Sequence, residues 1–329
     1  MIISRAPLRV SLAGGGSDLP SFYDQEDGMV LSFTINKYVY LALHDYFAGG
    51  IRVAYSQVEQ VAKCEDLTHP IFRETMRLLR FDQSIEIGSY ADVPSNGTGL
   101  GSSSAFTNAL IVGLQHFRRE VIDIDKVAAL TCQIEIEKCH QPIGKQDQWA
   151  TAVGGINEFT FLKTGDVLKN QINISSDFNN RMGESMKLFY LGYGRSAANI
   201  LKIQNVNMKD NLANRLIQRE IVQLVPEMKQ SIFHEDIDTL GKLLNKGWLL
   251  KKKLANEISN PSIDNIYEHA LGCGAVGGKV VGAGGGGFLL LCVPPKNHVK
   301  FKKSFIGFRE LEFALEFEGT KIAYDDRSG

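Results

Sequence analysis

A chain of 329 residues is long enough for about two domains and for a core that needs neither disulfides nor a metal to hold it. Hydrophobic residues at 44% and charged residues at 22% lie near the globular average, which excludes disorder as the main state. With 36 Lys and Arg against 37 Asp and Glu, the formal net charge is -1, so no basic excess favours nucleic acid or an anionic membrane surface as a partner.

The longest apolar runs, such as GFLLLCVPP at 287–295, fall far short of the roughly 18 residues that cross a bilayer. The opening MIISRAPLRVSLAGGG breaks its apolar residues with Arg5 and Arg9, unlike a secretory leader, and a cytoplasmic location is expected. The five cysteines, Cys64, Cys132, Cys139, Cys273 and Cys292, form no CxxC pair and read as reduced, buried thiols. The seven histidines show no metal spacing.

In chain order, APLRVSLA at 6–13 reads as a strand, and residues 29–46 alternate and are rich in β-branched and aromatic side chains, which predicts further strand. The same reading applies at 53–55 and 85–90. Apolar residues recur at helical spacing over 70–80, 103–118 and 124–138. A hairpin is expected at 156–174, and the polar stretch SSDFNNRMGES at 175–185 is expected to join two lobes. The second half opens with a strand at 186–191, continues with long helical patterns at 208–232 and 236–254, and returns to strand at 279–281, 288–293 and 312–317, with a helix between the last two. The whole is α+β in both halves.

The 32 glycines concentrate in three clusters. Gly14, Gly15 and Gly16 precede Ser17 and Asp18 at the end of the first strand. Three residues without Cβ let backbone approach a ligand, and Asp18 offers acceptor oxygens to the hydroxyls of a sugar or polyol. A turn whose Asp caps a helix accounts for the same residues equally well. The second cluster, PSNGTGLGSSSA at 94–105, ends where an apolar helix begins; small residues there leave unpaired N–H groups at the positive end of the helix, a ready phosphate site, and serine hydroxyls suit the Mg²⁺ that accompanies a nucleotide. The third, GAGGGG at 282–287, runs into a strand, where a dinucleotide fingerprint requires a helix. No Gly-Lys pair is followed by the Ser or Thr of a P-loop, and neither HRD nor DFG of a protein kinase is present.

One acidic motif stands out, GKQDQWATAVGG at 144–155. Asp147, two residues after Lys145, has the character of a base that takes a proton from a hydroxyl, although alone it reads equally as a solvated helix start. Glu135 and Glu137 precede it on a helix and face different sides, so at most one points into a shared site.

Together and in this order, APLRVSLAGGGSD at 6–18, PSNGTGLGSSSA at 94–105 and KVVGAGGGG at 279–287 resemble the three motifs of the GHMP kinase superfamily. The GGGSD variant with GKQDQ at 144–148 is most similar to the kinases that phosphorylate the anomeric oxygen of D-glycero-D-manno-heptose 7-phosphate, with L-fucokinases next. The resemblance implies a two-lobed fold, an N-terminal lobe like ribosomal protein S5 domain 2 over 1–184 and a ferredoxin-like C-terminal lobe over 185–329. It implies ATP and Mg²⁺ as cofactors and a small sugar phosphate as substrate, and leaves the oligomeric state open. Carried over, Asp147 is the catalytic aspartate and Arg9 the cation that steadies it. Pro94, Asn96, Gly97, Thr98, Gly99, Leu100, Gly101, Ser102, Ser103 and Ser104 hold the nucleotide. Ser103 and Glu135 bind the metal, with Glu137 in reserve. The acceptor falls to Gly15, Gly16, Ser17, Asp18, Gly284 and Gly285, with Lys145 and Arg195 as candidates for its distal phosphate. Where most members carry a Glu-His or similar pair, this chain has Gly14 to Gly16, so the sugar contacts of that pair do not transfer.

The implied reaction moves the γ-phosphoryl group of ATP onto a sugar hydroxyl, a transfer that depends on positioning and charge neutralisation. A sugar-sensing protein on the same fold, binding without turnover, is the rival from another class. The presence of Asp147, Ser103, Glu135 and Arg9 together favours the enzyme. A purely structural module is disfavoured, because three glycine clusters cost conformational entropy without packing gain.

Overall fold

The computed structural model describes residues 1–94, 97–192, 200, 202–203 and 211–327. The first lobe is built on a large sheet whose spine is β1 (Ile2–Ala13) paired antiparallel with the 18-residue β2 (Gly28–Asp45). Beyond β2 the order continues through β5 (Ile85–Ala91), β3 (Ile51–Ala54) and β4 (Val58–Val61), with β3 running parallel to β5. The other end of β2 pairs with β6 (Ile156–Phe161), which forms a hairpin with β7 (Val167–Gln171). Helix α1 is a single turn, Pro20–Tyr23, and α2 spans Pro70–Leu78.

Helix α3 (Ser102–Phe117) carries Ala105, Ala109, Leu110, Ile111 and Leu114, all without solvent exposure. A helix apolar on most sides must be central. It lies against the sheet, where the Ser4 hydroxyl on β1 donates to the Ala109 carbonyl at 2.7 Å. Helix α4 (Ile124–Cys132) widens into a π-type turn over Gln133–Lys138, and α5 (Gln146–Val153) closes the lobe. The expected continuous helix over 124–138 thus changes pitch at Gln133, and the wide turn is where Glu135 sits.

The second lobe has a four-stranded antiparallel sheet in the order β11 (Arg309–Leu311), β8 (Met186–Gly192), β10 (Gly287–Cys292), β9 (Gly277–Val280). Its helices are α7 (Leu212–Phe233), α8 (Ile237–Lys251), α9 (Pro261–Cys273) and α10 (His298–Ser304). No helix of the described residues is long and apolar enough to cross a membrane. All five cysteines are free thiols, and all but Cys139 are buried.

Two expectations are corrected. The polar stretch at 175–185 is a helix, α6 (Ser176–Ser185), capped by the Ser175 side chain and anchored by Phe178 and Met182, which are fully buried one turn apart. Two apolar residues in eleven are too few to show a period. The change of sheet does fall at the α6–β8 junction, beside the expected boundary. The chain end does not respect it: β12 (Leu315–Glu316) pairs with β2 and β13 (Lys321–Asp325) with β1, so the unit expected over 185–329 gives its last strands to the first sheet. Covering the free edge of β1 supplies partners for its backbone groups.

Candidate active site

A cleft of about 270 Å³ opens between the lobes, with the start of α3 at its base. Gly101 caps that helix in the left-handed conformation with φ at +76°, and no side chain caps the helix, so its first N–H groups face the cleft. The loop before it is seated by the third glycine cluster. A Cβ on Gly99 would lie 2.4 Å from the Val281 carbonyl oxygen, and one on Gly282 would lie 2.5 Å from the Gly99 Cα. The two glycines therefore pack back to back, and the second lobe supplies the floor of the first lobe's loop. A second cavity, lined by Tyr55, His69, Phe106, Val93 and Pro94, meets the same helix start at Ser102 and Ser103.

At the other wall Arg9, buried on β1, reaches Asp147 in the first turn of α5. Its Nε donates to Asp147 Oδ1 at 2.8 Å and its Nη2 lies 2.6 Å from the same oxygen. Arg9 Nη1 also donates to the Gly99 carbonyl, so one guanidinium ties the base candidate to the glycine loop. Asp18 is buried and holds this arrangement from behind: it accepts from the Gly16 N–H at 2.9 Å, the Gln146 N–H at 3.2 Å and Gln146 Nε2 at 3.0 Å. Burial pushes its carboxyl above the ordinary range, and the nearby Asp147 charge adds to that. Asp18 lines the cleft, but with three donors already on its carboxylate it serves mainly as a remote cap for α5.

Glu135 is fully buried, and Glu137 two residues on is exposed. Glu135 accepts from Ser103 Oγ at 2.5 Å, Ser104 Oγ at 2.7 Å, Thr107 Oγ1 at 3.2 Å and Gln148 Nε2 at 2.8 Å. Burial nevertheless holds its carboxyl above the usual range, against the lowering effect of the hydrogen bonds from Ser103, Ser104 and Gln148, and the Asp147 charge raises it further. A buried carboxylate next to a serine hydroxyl, with a second carboxylate nearby and no cation on it, is a hard-oxygen donor set of the kind that suits Mg²⁺.

Several lining residues are ones to which the sequence assigned no role. Lys251 at the end of α8 donates to the Gly282 carbonyl, and Lys279 on β9 donates to the Leu12 carbonyl at 3.2 Å. Burial pushes Lys251 down to about 8, with the Arg9 charge contributing, and pushes Lys279 well down. Around Gly15, Ser11 Oγ and Gln146 Oε1 are buried with no hydrogen-bond partner among the described residues. Gln218 of α7 reaches across from the second lobe and donates to the Gly14 and Gly15 carbonyls at 3.4 and 3.3 Å.

Lys251 gives a direct test of this electrostatic picture. Because its folded pKa, about 8, is below the ordinary 10.5, the unfolded chain holds the proton more tightly, and stability rises with pH between those values. The ligand-free Lys251→Met protein is therefore expected to melt above wild type at pH 7, with the gap narrowing as the pH approaches 10. A lower melting temperature for the variant at pH 7 would contradict this.

Of the residues marked in the sequence, the cleft brings together Arg9, Gly15, Gly16, Asp18, Gly97, Thr98, Gly99, Leu100, Gly101, Ser102, Ser103, Ser104 and Asp147. Pro94 lies at the second cavity instead. Asn96 and Arg195 lie outside the described residues. Three expectations are corrected. The Ser17 hydroxyl is buried and joins the Gly14 and Met29 backbones, so it closes the turn without reaching the cleft. Lys145 turns away, donating to the Gly165 carbonyl at 2.6 Å and lying 4.8 Å over the Tyr23 ring. Gly284 and Gly285 pack on Ile258, whose carbonyl accepts from the Gly285 N–H at 2.9 Å; it is Gly282 and Ala283 that line the cleft.

Comparison with known proteins identifies the family. Residues 66–155 match the GHMP kinases N terminal domain and residues 224–308 the GHMP kinases C terminal domain. The chain is 28% identical to a D-glycero-alpha-D-manno-heptose 7-phosphate kinase of Campylobacter jejuni, over 97% of this chain and 98% of that protein. It is 24% identical to the bifunctional fucokinase/GDP-fucose pyrophosphorylase of Arabidopsis thaliana, over 89% of this chain and 30% of that protein. The crystal structure of a D-glycero-D-manno-heptose 1-phosphate kinase from Bacteroides thetaiotaomicron superposes with a TM-score of 0.80 at 24% identity, covering 99% of each chain. With the two domain matches on either side of the cleft and the three glycine motifs assembled around it, the chain belongs to the GHMP kinase superfamily.

Proposed function

We propose that this protein transfers the γ-phosphoryl group of ATP to the anomeric hydroxyl of D-glycero-D-manno-heptose 7-phosphate, giving the 1,7-bisphosphate in the cytoplasm as a step toward nucleotide-activated heptose. The observation that carries the reading is the Arg9–Asp147 pair held against the Gly97–Gly101 loop, because it sets a base, a cation and a row of free helix N–H groups around one point. The substrate follows from the Campylobacter jejuni relative, which aligns with nearly the full chain.

In this reading the adenine enters the aromatic cavity of Tyr55, His69 and Phe106, and the phosphates run over Ser102 and Ser103 into the cleft. The uncapped N–H groups of α3 and the Arg9 guanidinium stabilise the charge that spreads over the transferred group. Asp147 orients the acceptor hydroxyl and takes its proton, while Arg9 fixes the carboxylate through two nitrogens. Ser103 and Glu135 would hold Mg²⁺, whose chemistry there is to neutralise phosphate charge. Ser11 and Gln146 offer the acceptor their unpartnered oxygens.

An ADP-release assay on heptose 7-phosphate, free heptose, mannose and L-fucose tests the assignment. Preference for the first supports it, preference for L-fucose replaces it with a fucokinase, and binding without ADP release makes the protein a sensor. Gly15→Ala adds a second test. Its Cβ would sit 3.4 Å from Gln146 Nε2 and 3.6 Å from Ser11 Oγ, room the fold tolerates but a sugar hydroxyl would need. The acceptor KM is expected to rise about tenfold with KM for ATP unchanged; an equal rise in both would remove Gly15 from the acceptor wall.

A further inference from the structure

The charges that line the cleft do not balance. Among the described lining residues Arg9, Lys251 and Lys279 are cationic, and only Asp18 and Asp147 are acidic. Arg9 is matched by Asp147, and the Asp18 carboxylate is taken up by the Gly16 and Gln146 donors. The two lysines, by contrast, have only backbone carbonyls as hydrogen-bond partners among the described residues, Gly282 for Lys251 and Leu12 for Lys279. A buried ammonium with a single carbonyl acceptor has further N–H groups to donate, and neither lysine forms an ion pair among the described residues, the Asp18 charge acting on Lys251 only from a distance. An anionic ligand would supply the counter-ion.

The position of the lysines tells which anion. The nucleotide's route is marked by the aromatic cavity and the start of α3, and neither lysine lines that cavity. They line the cleft from the second lobe, with Ile221, Leu224 and Gly247 of α7 and α8, and Lys279 reaches the Leu12 carbonyl just before the Gly14–Gly16 turn, around which the unpartnered Ser11 and Gln146 oxygens lie. A sugar laid along that turn with its reacting hydroxyl at Asp147 projects its far end toward the second lobe. Resting on the reading of the substrate as a sugar phosphate, we propose that Lys251, backed by Lys279, forms the seat for the phosphate the acceptor already carries. A phosphate monoester near neutral pH bears between one and two negative charges and three acceptor oxygens, which two ammonium groups suit as point charges. The lysines come from α8 and β9 of the second lobe, so a phosphorylated acceptor bridges both lobes and an unphosphorylated one does not.

The test compares kcat/KM for D-glycero-D-manno-heptose 7-phosphate and for the unphosphorylated heptose in wild type, Lys251→Met, Lys251→Arg, Lys279→Met and Lys145→Ala, with thermal melts to confirm folding. Wild type is expected to favour the phosphorylated sugar. Lys251→Met should lower that preference by about 10- to 100-fold, the size of a lost charge-assisted contact. Lys279→Met should lower it less, Lys251→Arg should keep much of it, and Lys145→Ala should leave it intact. Equal losses on both sugars in Lys251→Met, with a raised KM for ATP, would assign the lysine to the nucleotide and overturn the proposal, as would an unchanged preference. A wild type that does not favour the phosphorylated sugar would instead defeat the substrate reading itself, which separates the two failures.

Discussion

Asp147→Asn is expected to lower kcat by about 10²- to 10⁴-fold while the Kd for ATP stays within about twofold of wild type. The substitution keeps the side-chain volume and one oxygen for Arg9 but removes the charge that accepts the proton. Arg9 is buried, with Asp147 as its carboxylate partner, so the variant also loses stability, about 1–3 kcal/mol, and rates are best compared well below its melting temperature. The nucleotide contacts lie on α3 and the glycine loop, and the Asp147 carboxylate is joined to that loop through Arg9, whose Nη1 donates to the Gly99 carbonyl and whose backbone N–H donates to the Leu100 carbonyl at 2.9 Å. Turnover near wild type would remove Asp147 from the reaction. A collapse of ATP affinity would mean that its role is to hold the loop through Arg9.

What the sequence disclosed about this site was local. Gly14 to Gly16, the run from Gly97 to Ser104, and Gly282 to Gly287 announce themselves because glycine in clusters is unusual within otherwise regular elements, and Asp147 sits in the first turn of a short helix. The lysines are a different case. Lys251 stands in an ordinary stretch, KGWLLKKKL, and Lys279 opens the third motif, KVVGAGGGG, with no role of its own assigned there; the two become notable only when α8 and β9 bring them to the same cleft as Arg9. Ser17 and Lys145 show the converse. Both lie within the right motifs, yet the turn directs Ser17 into backbone contacts and α5 starts with Lys145 facing Tyr23. A motif locates a stretch of backbone, while the direction of each side chain depends on what packs behind it.

The fold divides in the same way. Strands with clear alternation, such as β2, and helices with long apolar stripes, such as α3, α7 and α8, fall where the periodicity predicts them. β12 and β13 do not reveal their destination, because the partner of a short strand is set by which sheet edge is open. The edge of β1, more than 300 residues earlier, is open only after the first sheet has formed. Helix α6 carries too few apolar residues to show a helical period, and its start is fixed by the Ser175 cap instead.

The choice between Glu135 and Glu137 gives the last expected result. Glu135→Gln should raise the Mg²⁺ concentration needed for half-maximal activity by at least about tenfold, and Glu137→Gln should leave it unchanged. The buried position decides this, because an exposed Glu137 cannot share an ion with Ser103. The glutamine variant should fold. The hydroxyls of Ser103, Ser104 and Thr107 can turn to accept from the new amide, and Gln148 has an unpartnered Oε1 that reaches it by flipping its own amide. Removing a charge that burial disfavours should stabilise the metal-free protein. Since the folded carboxyl titrates above the ordinary 4.5, the unfolded chain loses its proton first as pH rises, so the native state is weakened in the interval that begins near 4.5 and extends upward. The metal-free Glu135→Gln protein should therefore melt like wild type below that interval and above it at pH 8, while Mg²⁺ with nucleotide raises the melting temperature of wild type much more than that of the variant. A Glu135→Gln protein that keeps its Mg²⁺ dependence, or a Glu137→Gln protein that loses it, would move the metal site off the wide turn.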